Sequence, residues 1–357
     1  MRLLDRIVQS RAPLLIARGS EVVRLPGPAD FAAAVASCPL RLVLTDPLTR
    51  VCASLAYAEG DRLAGCLDLV HVPSQAVWVE WLDAPRLDVV SRALGLDATS
   101  AHGPATRAGV YVVTDAVGRR GEARTFWGPV EGEDEARLAP LVTEFDLDRD
   151  DGGTGSIADV FGGASARLAA QDPALASILR CLRFRFDDCW AAYYRAECAS
   201  AAARESVLRA SLATVATDLP VLFALCLLLS SRTRLPGHRP DLTRLNRRRA
   251  REGRAALLDH TELTVPVMSA YATSAPGADP RRAPRLHHVR GHIVRRGSQV
   301  FWRVPHLRGR AAFGPLRARS LTLHFESRSR ASTEGRSLDG HGTARRDYAS
   351  PLPGGAP

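Results

Sequence analysis

The chain contains no lysine: its 48 basic residues are all arginine. Asn246 is the only asparagine, and isoleucine is scarce. A GC-rich coding sequence depletes these three residue types together, so arginine richness as such says little about partners. The seven cysteines, at 38, 52, 66, 181, 189, 198 and 226, include no C-x-x-C pair. Their odd number, and the apolar helical setting of several, argue against a disulfide framework or a cysteine-based zinc site. Free thiols of this kind fit a reducing cytoplasm. No continuous apolar core follows the charges of "MRLLDRIVQSRAPLLIARG", so no signal peptide is expected. The longest apolar run, "LPVLFALCLLL" at 219–229, is too short to span a bilayer and reads as a buried helix.

What is present suffices for a packed core: 357 residues, 46% of them hydrophobic, with a formal charge of +10. The charge is unevenly spread. Residues 1–150 carry 16 Arg against 21 acids (net −5), and 151–232 carry 8 against 8. Residues 233–357 carry 24 against 9, a net of +15. Codon bias acts on a whole gene and leaves such polarity unexplained. A basic end on an acidic body points to a polyanionic partner.

The patterning predicts an α+β protein. Residues 1–151 read as a mixed α/β N-terminal region, 156–232 as helical, 240–325 as a small basic β-rich module, and 326–357 as a disordered tail. "AVWVEWL" at 76–82 alternates as a half-buried strand does, and residues 109–117 and 122–130 read as strands joined across Gly118–Gly121. Leu175, Leu179, Leu182, Phe186, Cys189 and Tyr193 recur at helical spacing. A second series runs from Leu208 to Cys226, with Pro220 starting a new helix behind an Asp218 cap. "DLTRLNRRRAREG" reads as a short helix from Asp241 or Thr243 to a Gly253 stop. Strands are expected near 260–268, 287–294, 299–304 and 320–325.

Residues 282–309, "RAPRLHHVRGHIVRRGSQVFWRVPHLRG", hold four histidines, seven arginines and no acid. No H-E-x-x-H occurs and the cationic surroundings oppose a dication, so no metal and no other cofactor is expected. Three uses remain. Arg247, Arg248, Arg249, Arg285, Arg290, Arg295, Arg296, Arg303 and Arg308 are candidates for phosphate contact, with Trp302 as a stacking platform for bases. His287, His292 and His306 are candidates for general acid–base work in a metal-independent ribonuclease. Alternatively, the 244–254 helix enters a DNA groove.

The pattern Arg285-x-His287-x-x-Arg290-Gly291-His292, with Trp302 on an aromatic strand and Pro305 three residues later, resembles a known C-terminal module. It is that of the phage- and plasmid-encoded anti-CRISPR family directed against the type V-A CRISPR effector nuclease. The firm part of the resemblance covers 240–325; over 1–232 only the order and texture of the segments agree. The Arg-loaded helix and the doubled His287-His288 depart from the family pattern. The resemblance implies a cytoplasmic, mobile-element-type regulator that recognises a nascent polypeptide and provokes loss of its mRNA. Its partners would be RNA or the ribosome and a target polypeptide, with no membrane.

Overall fold

The computed structural model describes residues 1–18, 20–94, 107–128, 135–148, 178–265, 285–289, 291–304, 306–308 and 310–315. Helix α1 (Leu3–Gln9) precedes an antiparallel ribbon of β1 (Leu14–Arg18) and β2 (Glu21–Leu25). Helix α2 (Ala32–Ser37) leads into β3 (Leu40–Leu44). Helix α3 (Asp46–Ala53), a π-helical turn at Ser54–Ala58 and α4 (Gly60–Ala64) then carry the chain to β4 (Ala76–Leu82). After α5 (Asp83–Leu94) come β5 (Arg107–Thr114), β6 (Arg120–Trp127), β7 (Arg137–Asp146) and β8 (Leu182–Phe186). Helices α6 (Asp188–Glu197), α7 (Ala201–Val215) and α8 (Leu219–Ser230) follow. The chain continues through β9 (Gly237–His238), α9 (Thr243–Arg251) and β10 (Thr261–Leu263). The last described strands are β11 (Arg285–Val289), β12 (His292–Arg296), β13 (Gln299–Arg303), β14 (His306–Arg308) and β15 (Arg310–Pro315).

The fold is α+β, built on an eight-stranded mixed sheet of order β8-β7-β6-β5-β4-β3-β10-β9. Strands β10, β3 and β4 are parallel, and the remaining pairs are antiparallel. Alternation along "AVWVEWL" sorts β4 onto two cores, because successive strand residues face opposite sides. Val77, Val79 and Trp81 join the large cluster with α3 and α8, while Trp78 packs with α1, α2 and Phe126. Both faces of the sheet are therefore covered. Helix α8 lies within the larger core, every residue from Leu219 to Leu228 buried, as expected of a helix apolar on all sides. Pro220 sits in its first turn, where a missing N–H costs nothing. No described helix is long and apolar enough to cross a membrane.

Glu80, on the second face of β4, is fully buried and fully used. Its carboxylate accepts the Leu3 and Leu4 amides at 2.9 and 3.0 Å and the Trp78 indole N–H at 3.2 Å, and pairs with Arg107. It supplies from the sheet the anionic cap that Arg2, at the N-cap of α1, does not provide.

Four expectations change. The apolar series predicted as one helix from 175 to 193 contains β8, which pairs with β7. Leu182, Phe184 and Phe186 alternate with Arg183 and Arg185, so a period of two was hidden inside the helical spacing. Asp218 precedes α8 but makes no side-chain cap. The strand expected over 287–294 is two strands, β11 and β12, separated at Gly291. Lastly, 240–265 does not open a separate module, since β10 pairs with β3 and Met1–Pro315 form one compact unit. The strand expected near 320–325 and the tail expected over 326–357 lie outside the described residues.

Candidate nucleic-acid interface

Helix α9 has a buried side and a cationic side. Its entry is fixed by Asp241, whose carboxylate accepts the Thr243 amide at 2.9 Å. Hydrogen bonds from Thr243, with the charge of Arg247 behind them, hold that carboxyl below its usual range. Gly253, at φ 66, follows the last turn in the left-handed conformation that glycine adopts without strain. On the inner side, Asn246 clamps the following loop: it donates to Leu257 O at 3.0 Å and accepts from Leu257 N at 2.8 Å. Arg249 lies beside it, buried, with its Nε 2.7 Å from Ala255 O.

At about 100° per residue, Arg244, Arg247, Arg248 and Arg251 fall on one arc about 100° wide on the opposite side. All four are exposed. Arg244, Arg248 and Arg251 line an open groove of about 480 Å³ with Asp241 and Leu245. Arg244 and Arg247 have no ion-pair partner among the described residues. Arg248 stands 3.7 Å from Glu252, which also meets Arg254 at 3.5 Å. Glu252 and Asp241 therefore offset part of the charge, and the face remains net positive.

The β12–β13 hairpin presents a second, smaller basic face. Ile293, Trp302 and Val300 face inward and belong to the large core. Arg295, opposite Val300, shares that docking side and grips Asp68 with both Nη atoms at 2.7 Å. The outward side carries Arg296, whose guanidinium lies 5.9 Å from the Phe301 ring centre, and exposed Arg303 opposite His292.

These positions sort the sequence candidates. Arg247, Arg248, Arg296 and Arg303 are exposed on basic faces. Arg249 and Arg295 are occupied by internal partners and are withdrawn as phosphate contacts. Trp302 is withdrawn as a stacking platform because its ring is 5% exposed within the core; the outward aromatic is its neighbour Phe301. Arg285 and His287 lie on β11, and His306 and Arg308 on β14, where His287 pairs with Arg308 and Val289 with His306. His292 belongs to a different sheet, so the three candidate histidines are divided between two ladders. Arg290 and Pro305 lie outside the described residues. Arg244 and Arg251 were not singled out, although applying the helical period to "TRLNRRRAR" separates them, with Arg247 and Arg248, from Arg249.

The arrangement defines a class: a mixed-sheet α+β protein with an arginine-faced helix at one edge of its sheet. Comparison with known families, with characterised proteins and with solved structures returns no match.

Proposed function

We propose that this protein is a regulator of gene expression that contacts RNA through the outer face of α9, with the outward side of the β12–β13 hairpin as a secondary contact. The observation that carries this reading is the four-arginine arc of Arg244, Arg247, Arg248 and Arg251, exposed and only partly neutralised by Asp241 and Glu252. Guanidinium groups bind phosphate oxygens bidentately, and a row of them on a short helix follows a backbone without reading sequence. Phe301, beneath Arg296, adds an aromatic surface for an unpaired base. The setting follows from the resemblance of the 285–305 pattern: recognition of a target polypeptide during synthesis, coupled to loss of its mRNA.

The test is single-stranded RNA binding by the full chain across a salt series, beside a variant with all four arginines changed to glutamine. Each phosphate contact contributes about −0.7 to the slope of log K against log salt. The variant is expected to flatten that slope by about 2 to 3 and to bind more weakly. An unchanged slope removes α9 as the RNA contact. RNA cleavage in EDTA that His292→Ala abolishes would replace the binding reading with a ribonuclease.

A further inference from the structure

Away from α9, four elements meet around an open groove of about 370 Å³. They are the turn after Leu67–Leu69, the turn between β5 and β6, the end of α8 and the turn between β12 and β13. Two arginine clasps fix its walls. Arg119 donates to the carbonyls of Leu67, Asp68 and Val70 at 3.2, 3.1 and 2.8 Å, and pairs with Asp148 at 2.6 Å. Arg295 holds Asp68 from the hairpin side. Gly118, at φ 79, lets the β5–β6 turn press against Val72: a Cβ there would fall 2.3 Å from Val72 O.

Each clasp is balanced by its own aspartate, Asp148 for Arg119 and Asp68 for Arg295. Arg232 is exposed and has no ion-pair partner among the described residues. The His71 imidazole and the Ser230 hydroxyl stand 3.4 Å apart beside it, and Gln299 adds an amide. Val117, 67% exposed, forms an apolar wall.

We infer that this groove binds a carboxylate carried on a short apolar body. Its volume falls within the range of about 300–1,000 Å³ that small-molecule sites occupy. One free guanidinium offers a fork matched to one carboxylate, with the Gln299 amide to orient it. A phosphate dianion fits less well, because α8 presents its C-terminal end here, where the helix carries partial negative charge.

The experiment titrates the ¹⁵N-labelled full chain with N-acetyl-leucine, with hexanoate and with uncharged N-acetyl-leucinamide. At least one acid is expected to saturate and to move the amide signals of His71, Val117 and Gln299, while the leucinamide does not. Arg232→Gln and Val117→Asp are each expected to weaken binding about tenfold or more with unchanged melting. The four-glutamine α9 variant is expected to bind as the parent does, which separates this site from the RNA reading. Binding of N-acetyl-leucine without hexanoate identifies a polypeptide C-terminus as the source, and the converse a free acid. Equal binding of the leucinamide, indifference to Arg232→Gln, displacement by inorganic phosphate, or no saturation below about 10 mM overturns the inference.

Discussion

Asp218, Asp83 and Arg86 place two carboxyl groups around one guanidinium where water does not reach. Arg86 is committed to Asp83, with Nη2 and Nε at 2.7 and 2.8 Å from its Oδ1. Its Nη1 lies 3.1 Å from Asp218 but directs its N–H to the Thr217 hydroxyl at 2.5 Å, so Asp218 receives no hydrogen bond from it. Burial pushes the Asp218 carboxyl up to about 7, against the pull of Arg86 and with the help of Asp83. The folded chain therefore keeps this proton to near pH 7, whereas an unfolded aspartate releases it near 3.8. The stabilising contribution is complete below that lower value and is lost as pH rises through 7. Asp218→Asn, which keeps the shape without the charge, is expected to flatten the fall in melting temperature between pH 5 and 8. Its advantage at the upper end is on the order of 2 kcal/mol. A variant less stable than the parent at pH 8 would show that the carboxylate is stably ionised and paired.

The β12–β13 hairpin shows at the scale of an element how much the sequence disclosed. That Phe301 and Trp302 face opposite sides follows from strand geometry alone. Which one meets the core depends on α8 and on the segment around Asp68, more than two hundred residues earlier for the latter, and no local pattern carries that information. The same distance hid the role of Arg295, which reads as a free cation until its partner Asp68 is placed beside it. For α9 the helical period was legible and was enough to divide its arginines. Trp302→Ala is expected to cost about 3–5 kcal/mol in denaturant unfolding, the range for removing a buried large aromatic. Phe301→Ala is expected to change stability by less than about 1 kcal/mol while weakening RNA binding by about 1–3 kcal/mol, the range for one base-stacking aromatic. Reversal of the two stability effects would mean that the hairpin docks through its other face.

Across the whole molecule, charge and architecture divide the chain differently. Composition suggests an acidic body and a basic module meeting near 232–240, yet the sheet passes through that boundary. Strand β10 supplies the parallel neighbour of β3, its Leu263 lying in register with Leu44. Thr45 donates its amide to Leu263 O at 3.0 Å, and Leu258 N reaches back to Asp5 at 2.8 Å. Val265, Ile293, Val300 and Trp302 complete the core that surrounds α8. The basic side chains thus project from segments whose apolar side chains belong to the N-terminal body, which places the cationic faces on a rigid support. A fragment ending at residue 240 loses both the strand and those core contacts, and leaves apolar surface of α8 open to water. Such a fragment is expected to lack a cooperative thermal transition and to bind hydrophobic dyes, whereas one ending at 315 retains the parent transition. Loss of RNA binding on truncation at 240 would then report unfolding, so only the α9 substitutions can locate the contact. A fragment 1–240 that melts cooperatively would show that the boundary suggested by charge is also a boundary of folding.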